Sequence, residues 1–500
     1  MKLLFAIRGF GILTLFFLII ACKNGTSVNK KALNPEIALL EEKVQEIKKD
    51  FNVPGLAVGI IKEGKIIYSK GLGVQDLDTR FLLSTQSVYH MASVSKPFVA
   101  TAIMQLMEQG KIELDKKLIE YLPYFKMKDN RFKEITIRHL LTHSSGIPDV
   151  KDYQWDNPQN DDGAVERYVK SFKSKELDFT PGDEYHYSNS AYDILADIIA
   201  KVSRMTFEDY MKKNIFEPVG MNNTTFYKPG VSKKLATQPH TLNNNLKIDV
   251  ETVYPYNRIH AASSTLHSNI DDMLLWAKVN LNKGRIGKHR IYNESSYKLL
   301  TSGQRKISEN DSLALSWFIS PIKDYKMIKH SGGDTGYSTY FGFIPENNSA
   351  IVLMANNDIF FNSDVANCLL NIALFNENKS VRVPIHYVLK DYILTDGIEK
   401  CKEIYFDKKK NASSEYNFEI WTLNQFGYWL VENKHYQKAL QVFQFNLYLF
   451  PNHPGLMDSL ADAYRDMGDK KNAIKWYKKA LNIKPDQEFS KEKLNELIKN

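Results

Sequence analysis

Ser93 and Lys96 stand three positions apart in Met91-Ala92-Ser93-Val94-Ser95-Lys96. On a helix, positions i and i+3 share a face, so the Lys96 amine reaches the Ser93 hydroxyl. A serine hydroxyl is a weak nucleophile until a base takes its proton. A lysine serves as that base only where burial or nearby positive charge pulls its pKa toward neutral. The spacing alone is weak, since it recurs at Ser27/Lys30, Ser295/Lys298, Ser320/Lys323 and Ser490/Lys493. What sets Ser93 apart is its place just before the apolar helical run Phe98 to Glu108. A helix start offers free backbone N–H groups and a partial positive charge, which suits a developing oxyanion. Pro97 disfavours α conformation at Lys96 and leaves the Ser93 carbonyl without its helical partner, so the first turn is expected to be distorted.

The segment MASVSKPFVATAIMQLMEQGKIELDKKLIEYLP resembles the nucleophile region of class C β-lactamase-related serine hydrolases, a broad family that also holds D-peptidases and esterases. Four further elements follow in the family's order: ITIRHLLTHSSG at 135–146, FTPG at 179–182 leading to YHYSN at 185–189, IFEPVGMN at 215–222, and His330-Ser331-Gly332-Gly333 in place of a Lys-Thr-Gly strand. The resemblance covers about Ile37 to Leu374. It implies that Ser93 is the acylated nucleophile and Lys96 a proton acceptor. It implies that Tyr187 shares the base role and protonates the leaving group, and that Asn189 orients Lys96 and the substrate amide. The backbone N–H groups of Ser93 and Gly333 would form the oxyanion hole, with Gly332 beside them and His330 on the strand facing substrate. His143 and Arg138 read as structural. His139 and His143 share a helix face but have no third ligand or intervening glutamate, so no metal is expected, and no cofactor is implied. One departure matters. The family's lysine at this strand helps bind an acidic group, whereas a histidine is only partly charged near pH 7. That weakens the case for β-lactamase activity and favours ester, amide or D-amino-acid peptide substrates.

These residues need a scaffold. Ile37 to Asp50 has helical spacing, and Gly55 to Ile61 and Lys65 to Ser69 read as strands joined at Glu63-Gly64. Ala191 to Val202, Asp271 to Asn280 and Asp364 to Leu374 read as helices, and Tyr340 to Ile344 and Ala350 to Met354 as strands. Strands at both ends with helices between predict α+β: a β-lactamase/transpeptidase-like antiparallel sheet covered by helices. An all-α helical repeat domain follows it. Gly427/Ala461, Leu430/Tyr464, Ala439/Ala473, Phe443/Tyr477, Leu447/Leu481 and Pro451/Pro485 each lie 34 residues apart, the period and residue type of the tetratricopeptide repeat. The expected organisation is a lipoprotein signal peptide at 1–21, a tether at 22–35, a hydrolase domain at 36–378, a linker or partial repeat at 379–418, and the repeats at 419–500. Because no repeat residue matches a catalytic element, the hydrolase domain is expected to fold after removal of Asn411 onward.

Lys2 and Arg8 precede the apolar run Gly9 to Ile20, which is short for a bilayer span and reads as a signal-peptide core. It closes in Ile19-Ile20-Ala21-Cys22, which resembles a bacterial lipobox. The resemblance implies acylation at Cys22, a lipid anchor in a membrane, and an extracytoplasmic location. The other cysteines, Cys368 and Cys401, form either a disulfide or, as the plainer reading, two separate thiols. The 500 residues carry 66 Lys and Arg against 58 Asp and Glu, scattered rather than blocked, so no nucleic-acid partner is expected. The partners expected are a small-molecule or peptide substrate and a protein bound through the repeats. The function expected is acyl transfer to water. The alternative is a penicillin- or peptide-binding protein without turnover, whose repeats recruit the partner.

Overall fold

A computed structural model describes residues 34–360 and 362–499; the signal-peptide and Cys22 expectations lie outside them. The first helix, α1 (Pro35–Asp50), begins at Pro35 and is capped by Asn34, whose side chain accepts from the Glu36 amide at 3.1 Å. Two strands follow, β1 (Gly55–Lys62) and β2 (Lys65–Gly73). The central helical region contains α2 (Lys96–Glu108), α3 (Ile137–Leu141), α4 (Asn189–Ser203), α5 (Ala261–Ser264) and α6 (Ile270–Leu281). The chain then returns to the sheet through β3 (Arg305–Lys306), β4 (Ser312–Leu313), β5 (Phe318–Ile322), β6 (Tyr325–Asp334), β7 (Tyr337–Ile344) and β8 (Ser349–Ala355).

Together these strands form one eight-stranded sheet in the order β2-β1-β8-β7-β6-β5-β4-β3, antiparallel throughout. The first two strands are therefore stitched to the last one, which closes the domain over some three hundred residues of sequence. Both faces are covered, and the side chains alternate accordingly. In β1, Ala57 and Ile61 enter a core shared with α2, α4 and α6, while Leu56, Val58 and Ile60 face the opposite core. In β8, Ala350, Val352 and Met354 take the first side and Ile351, Leu353 and Ala355 the second.

That second core holds α1 and α7 (Asn362–Phe375), and it does not stop there. It continues through α8 (His386–Ile393), α9 (Gly397–Asn411), α10 (Ile420–Glu432) and α11 (Tyr436–Leu449) as far as Leu460 and Ala463 of α12 (Pro454–Asp466). His386 packs edge-on against Trp429 at 4.5 Å, and Val383–Pro384 pair with Tyr416–Asn417 in a short parallel ladder. This shared core bears on the expectation that the hydrolase domain folds without Asn411 onward. Leu423, Phe426, Trp429 and Leu430 belong to the same apolar cluster as the back of the sheet, so a cut at Asn411 would bare it. The array ends with α13 (Lys470–Ile483) and α14 (Glu488–Lys499). Its small residues serve close approach: a Cβ at Gly427 would fall 2.3 Å from the Phe443 ring. Cys368 and Cys401 are both free and buried.

Candidate active site

The distortion that Pro97 imposes is visible as a short 3-10 turn, Ala92–Ser95, which runs into α2 with Pro97 in its first turn. Ala92 sits at φ +48°, a left-handed conformation that costs a non-glycine residue about 1 kcal/mol. Such strain is retained where surrounding structure over-determines it. Here Met91 is fixed from two sides: its N–H donates to the Leu266 carbonyl at 2.7 Å, and its carbonyl accepts the Thr339 hydroxyl at 2.7 Å. The turn leaves Ser93 half-buried and Lys96 fully buried.

Lys96 Nζ contacts three oxygens: Ser93 Oγ at 2.9 Å, Asn189 Oδ1 at 2.7 Å and the Ser263 carbonyl at 2.7 Å. None is charged. Burial pulls the amine down to about 7, against the upward pull of the more distant Asp193, Asp334 and Asp149 carboxylates. Near neutral pH, then, much of Lys96 is uncharged. A neutral amine has two hydrogens and one lone pair. The hydrogens suit Asn189 and Ser263, and the lone pair suits the Ser93 hydroxyl.

Tyr187 also neighbours Ser93. Burial pushes its hydroxyl well above the ordinary value, and the neighbouring Ser93 side chain pulls it only part of the way back. Its ring stacks on His143 at 4.2 Å and lies 4.9 Å from Lys96 Nζ. In the resting site Tyr187 is therefore a neutral phenol beside the Ser93 hydroxyl. His143, read as structural, takes the Ser188 N–H on Nδ1 at 3.1 Å and so fixes the turn carrying Tyr187. Arg138 grips Asp115 at 2.6 and 2.9 Å, away from Ser93.

Gly332 of β6 presses on the nucleophile turn. A Cβ there would stand 2.5 Å from the Met91 carbonyl oxygen and 3.0 Å from the Ser93 nitrogen, so only glycine fits. At Gly333 a Cβ would meet nothing within 4 Å. Strand β5 pairs with β6 only as far as Lys329, so among the described residues no strand pairs with His330 to Asp334 on that side. His330 departs from expectation. It is 2% exposed, its ring packs edge-on against Phe318 at 5.3 Å, and its Nδ1 is bonded to the Ser331 carbonyl at 2.7 Å. Burial and then the Lys96 charge pull it to about 3. It is a neutral group across the physiological range, not the partly charged one that the reference value implied.

Residues that sequence reasoning missed hold the others in place. Asp149 accepts the Asn189 backbone N–H at 2.6 Å and its Nδ2 at 3.3 Å, which turns Oδ1 toward Lys96. Asp193, one helical turn beyond Asn189, accepts the Ser263 N–H at 3.1 Å and binds His260 Nδ1 at 2.7 Å, which places the Ser263 carbonyl. The i, i+4 spacing of Asn189 and Asp193 was the one signal available in sequence; nothing pointed to residue 263.

Comparison with known proteins shows the family to which this fold belongs. Residues 40–368 match the β-lactamase family, about two-thirds of the chain. The chain belongs to that family. Residues 456–487 match the tetratricopeptide repeat. Among curated proteins, Protein flp of Staphylococcus aureus (strain MW2) is 29% identical over 306 residues, 61% of this chain and 60% of its own length. The match therefore spans less than two-thirds of that relative. Penicillin-binding protein 4* of Bacillus subtilis (strain 168) is 29% identical over 328 residues, 62% of this chain and 69% of its own. Among solved structures, the octameric penicillin-binding protein homologue from Pyrococcus abyssi superposes with a TM-score of 0.62 at 26% identity, covering 71% of this chain and 81% of that one. A penicillin-binding protein from Bacillus halodurans shares the fold at a TM-score of 0.54 and 22% identity.

Proposed function

We propose that the protein is a serine hydrolase acting through an acyl-enzyme on an ester, amide or D-amino-acid peptide bond, with esterase or peptidase activity ahead of β-lactamase activity. The observation that carries this reading is the 2.9 Å contact between Ser93 Oγ and a fully buried Lys96 whose amine burial has brought to about 7. Neutral Lys96 takes the Ser93 proton as Oγ attacks the scissile carbonyl. The N–H groups of Ser93 and Gly333 receive the oxyanion, a contribution of about 3 kcal/mol in comparable sites. Lys96, now charged, returns its proton through Tyr187 to the leaving group, and water then releases the acyl chain by the reverse route. The neutral His330 supports the preference against β-lactams, since that position offers no cation for their carboxylate.

A fluorophosphonate probe is expected to label Ser93, and the protein to turn over a short-chain p-nitrophenyl ester many times. Absence of both in folded protein would leave the site a binding pocket. We propose further that the mature chain begins at an acylated Cys22 and works on the outer side of a bacterial membrane, supported by Ala21-Cys22 closing the apolar run. Mass spectrometry of the native N-terminus tests this, a mature N-terminus at another residue being the refuting result. The repeat array would hold a protein or peptide partner.

A further inference from the structure

Three carboxylates lie close enough to Lys96 to oppose its loss of charge, and two of them are fully engaged. Asp149 gives its oxygens to Asn189 and to the Val150 N–H, and Asp193 gives one oxygen to Ser263 and the other to His260. Asp334 differs. His90 Nε2 at 2.8 Å and the Ser264 hydroxyl both bond to Oδ2, and among the described residues no hydrogen bond goes to Oδ1. The side chain is 11% exposed, so this is a held and oriented carboxylate with one oxygen left over. His90 is itself fully buried among Tyr254, His267 and Tyr337, and its Nδ1 has no partner.

Strand geometry places Asp334 in the site. Side chains at i, i+2 and i+4 share a face, so His330, Gly332 and Asp334 point together. Gly332 identifies that face as the one lying on the Ser93 amide. On one side of Gly332, His330 donates from Nδ1 to the Ser331 carbonyl, which leaves Nε2 a buried acceptor without a partner. On the other side stands the unused oxygen of Asp334. On this face His330 is buried and uncharged, and the oxygen left over is that of Asp334, whose side chain is 11% exposed. Tyr254 and Tyr337 pack on the ring of His90, which holds Asp334 Oδ2. A carboxylate oxygen held in so covered a position suits an ammonium.

We propose that Asp334 binds a primary ammonium on the substrate, so that the preferred acyl donors are aminoacyl esters and amides with a free amine next to the scissile carbonyl. This rests on the reading of Ser93 as the acylated nucleophile. Asp334 is one residue beyond Gly333, whose N–H would hold the carbonyl oxygen, and that places the amine on the acyl side of the bond.

The test compares the p-nitroanilides of D- and L-alanine with their N-acetyl counterparts on the full mature chain. Wild-type kcat/KM is expected to be at least tenfold higher for a free amine than for its acetylated partner, with most of the difference in KM. In Asp334→Asn that ratio should fall toward one, and Asp334→Glu should recover part of it. A wild-type ratio at or below one, with Ser93 still labelled by the fluorophosphonate, overturns the ammonium site and leaves the nucleophile standing. A ratio unchanged in a folded Asp334→Asn does the same. Should Asp334→Asn not fold, the wild-type ratio and Asp334→Glu decide. No labelling and no turnover of any of the four compounds removes both.

Discussion

Two lysines, one in each half of the molecule, are held in place in opposite ways. Lys96 in the cleft meets three uncharged oxygens and is brought to about 7 by burial. Lys493 on α14 is also largely covered, and burial alone would lower it too. It meets the carboxylates of Asp458 at 2.9 Å and Asp462 at 2.8 Å, which outweigh burial and raise it. Asp462 also takes the Tyr477 hydroxyl at 2.5 Å, the Tyr428 hydroxyl at 3.0 Å and Arg465 at 3.0 Å. One lysine is kept ready to lose its proton, and the other is a permanent charge that ties the last helix to the array. Covering a lysine does not make a base of it. What decides is whether its acceptors are charged.

Removing the proton-accepting ability of Lys96 should have the largest effect. Arginine stays protonated at any working pH, so Lys96→Arg is expected to lower kcat/KM for a short-chain ester about 10³-fold or more. A tenfold loss or less would mean that another group takes the Ser93 proton. Next is Gly332→Ala, whose Cβ cannot fit against the Met91 carbonyl and Ser93 nitrogen. Displacing the strand from the nucleophile should lose about 10²-fold in kcat, since misplacement of about 1 Å costs that much. Single-turnover acylation with a fluorogenic ester would check it.

A smaller effect sharpens the comparison directly. The base must be unprotonated, so kcat/KM should rise with pH through about 7. Asp193 favours the charged amine, and Asp193→Asn removes that support. The acid limb should move to lower pH, by about half a unit to one unit on the scale of a buried charge neighbour. A shift to higher pH in a folded variant would contradict the assignment of the limb to Lys96.

The smallest effect on turnover belongs to the array. Asp462→Asn strips the carboxylate from Lys493 and Arg465, and Gly427→Ala drives a methyl into Phe443. Each should cost about 2 kcal/mol of stability, with partial exposure of the lysine and arginine limiting the first. Denaturant melts should register the loss while ester turnover stays within about twofold, since neither residue approaches Ser93. An equal loss of turnover at temperatures where the variants remain folded would show that the shared core carries strain from the array to the cleft.

Much was decided by local order in the sequence. Ser93 and Lys96 meet because three positions close one helical turn. The repeat announces itself because each unit repeats the same small-residue contacts every 34 residues. The alternation of β1 and β8 follows from a sheet covered on both faces. What the tertiary structure alone decided is the electrostatic character of each group. Lys96 is brought to about 7 because burial lowers it and the oxygens it meets, on residues 93, 189 and 263, carry no charge. Asp149 and Asp193 matter only once folding brings α4 and α5 beside α2. His330 looked half-charged from its type and is neutral from its burial against Phe318. The array looked separable from its period and shares a core with the sheet. A residue's type sets its reference behaviour, but desolvation and neighbouring charge come from atoms distant in sequence, and no local pattern contains them.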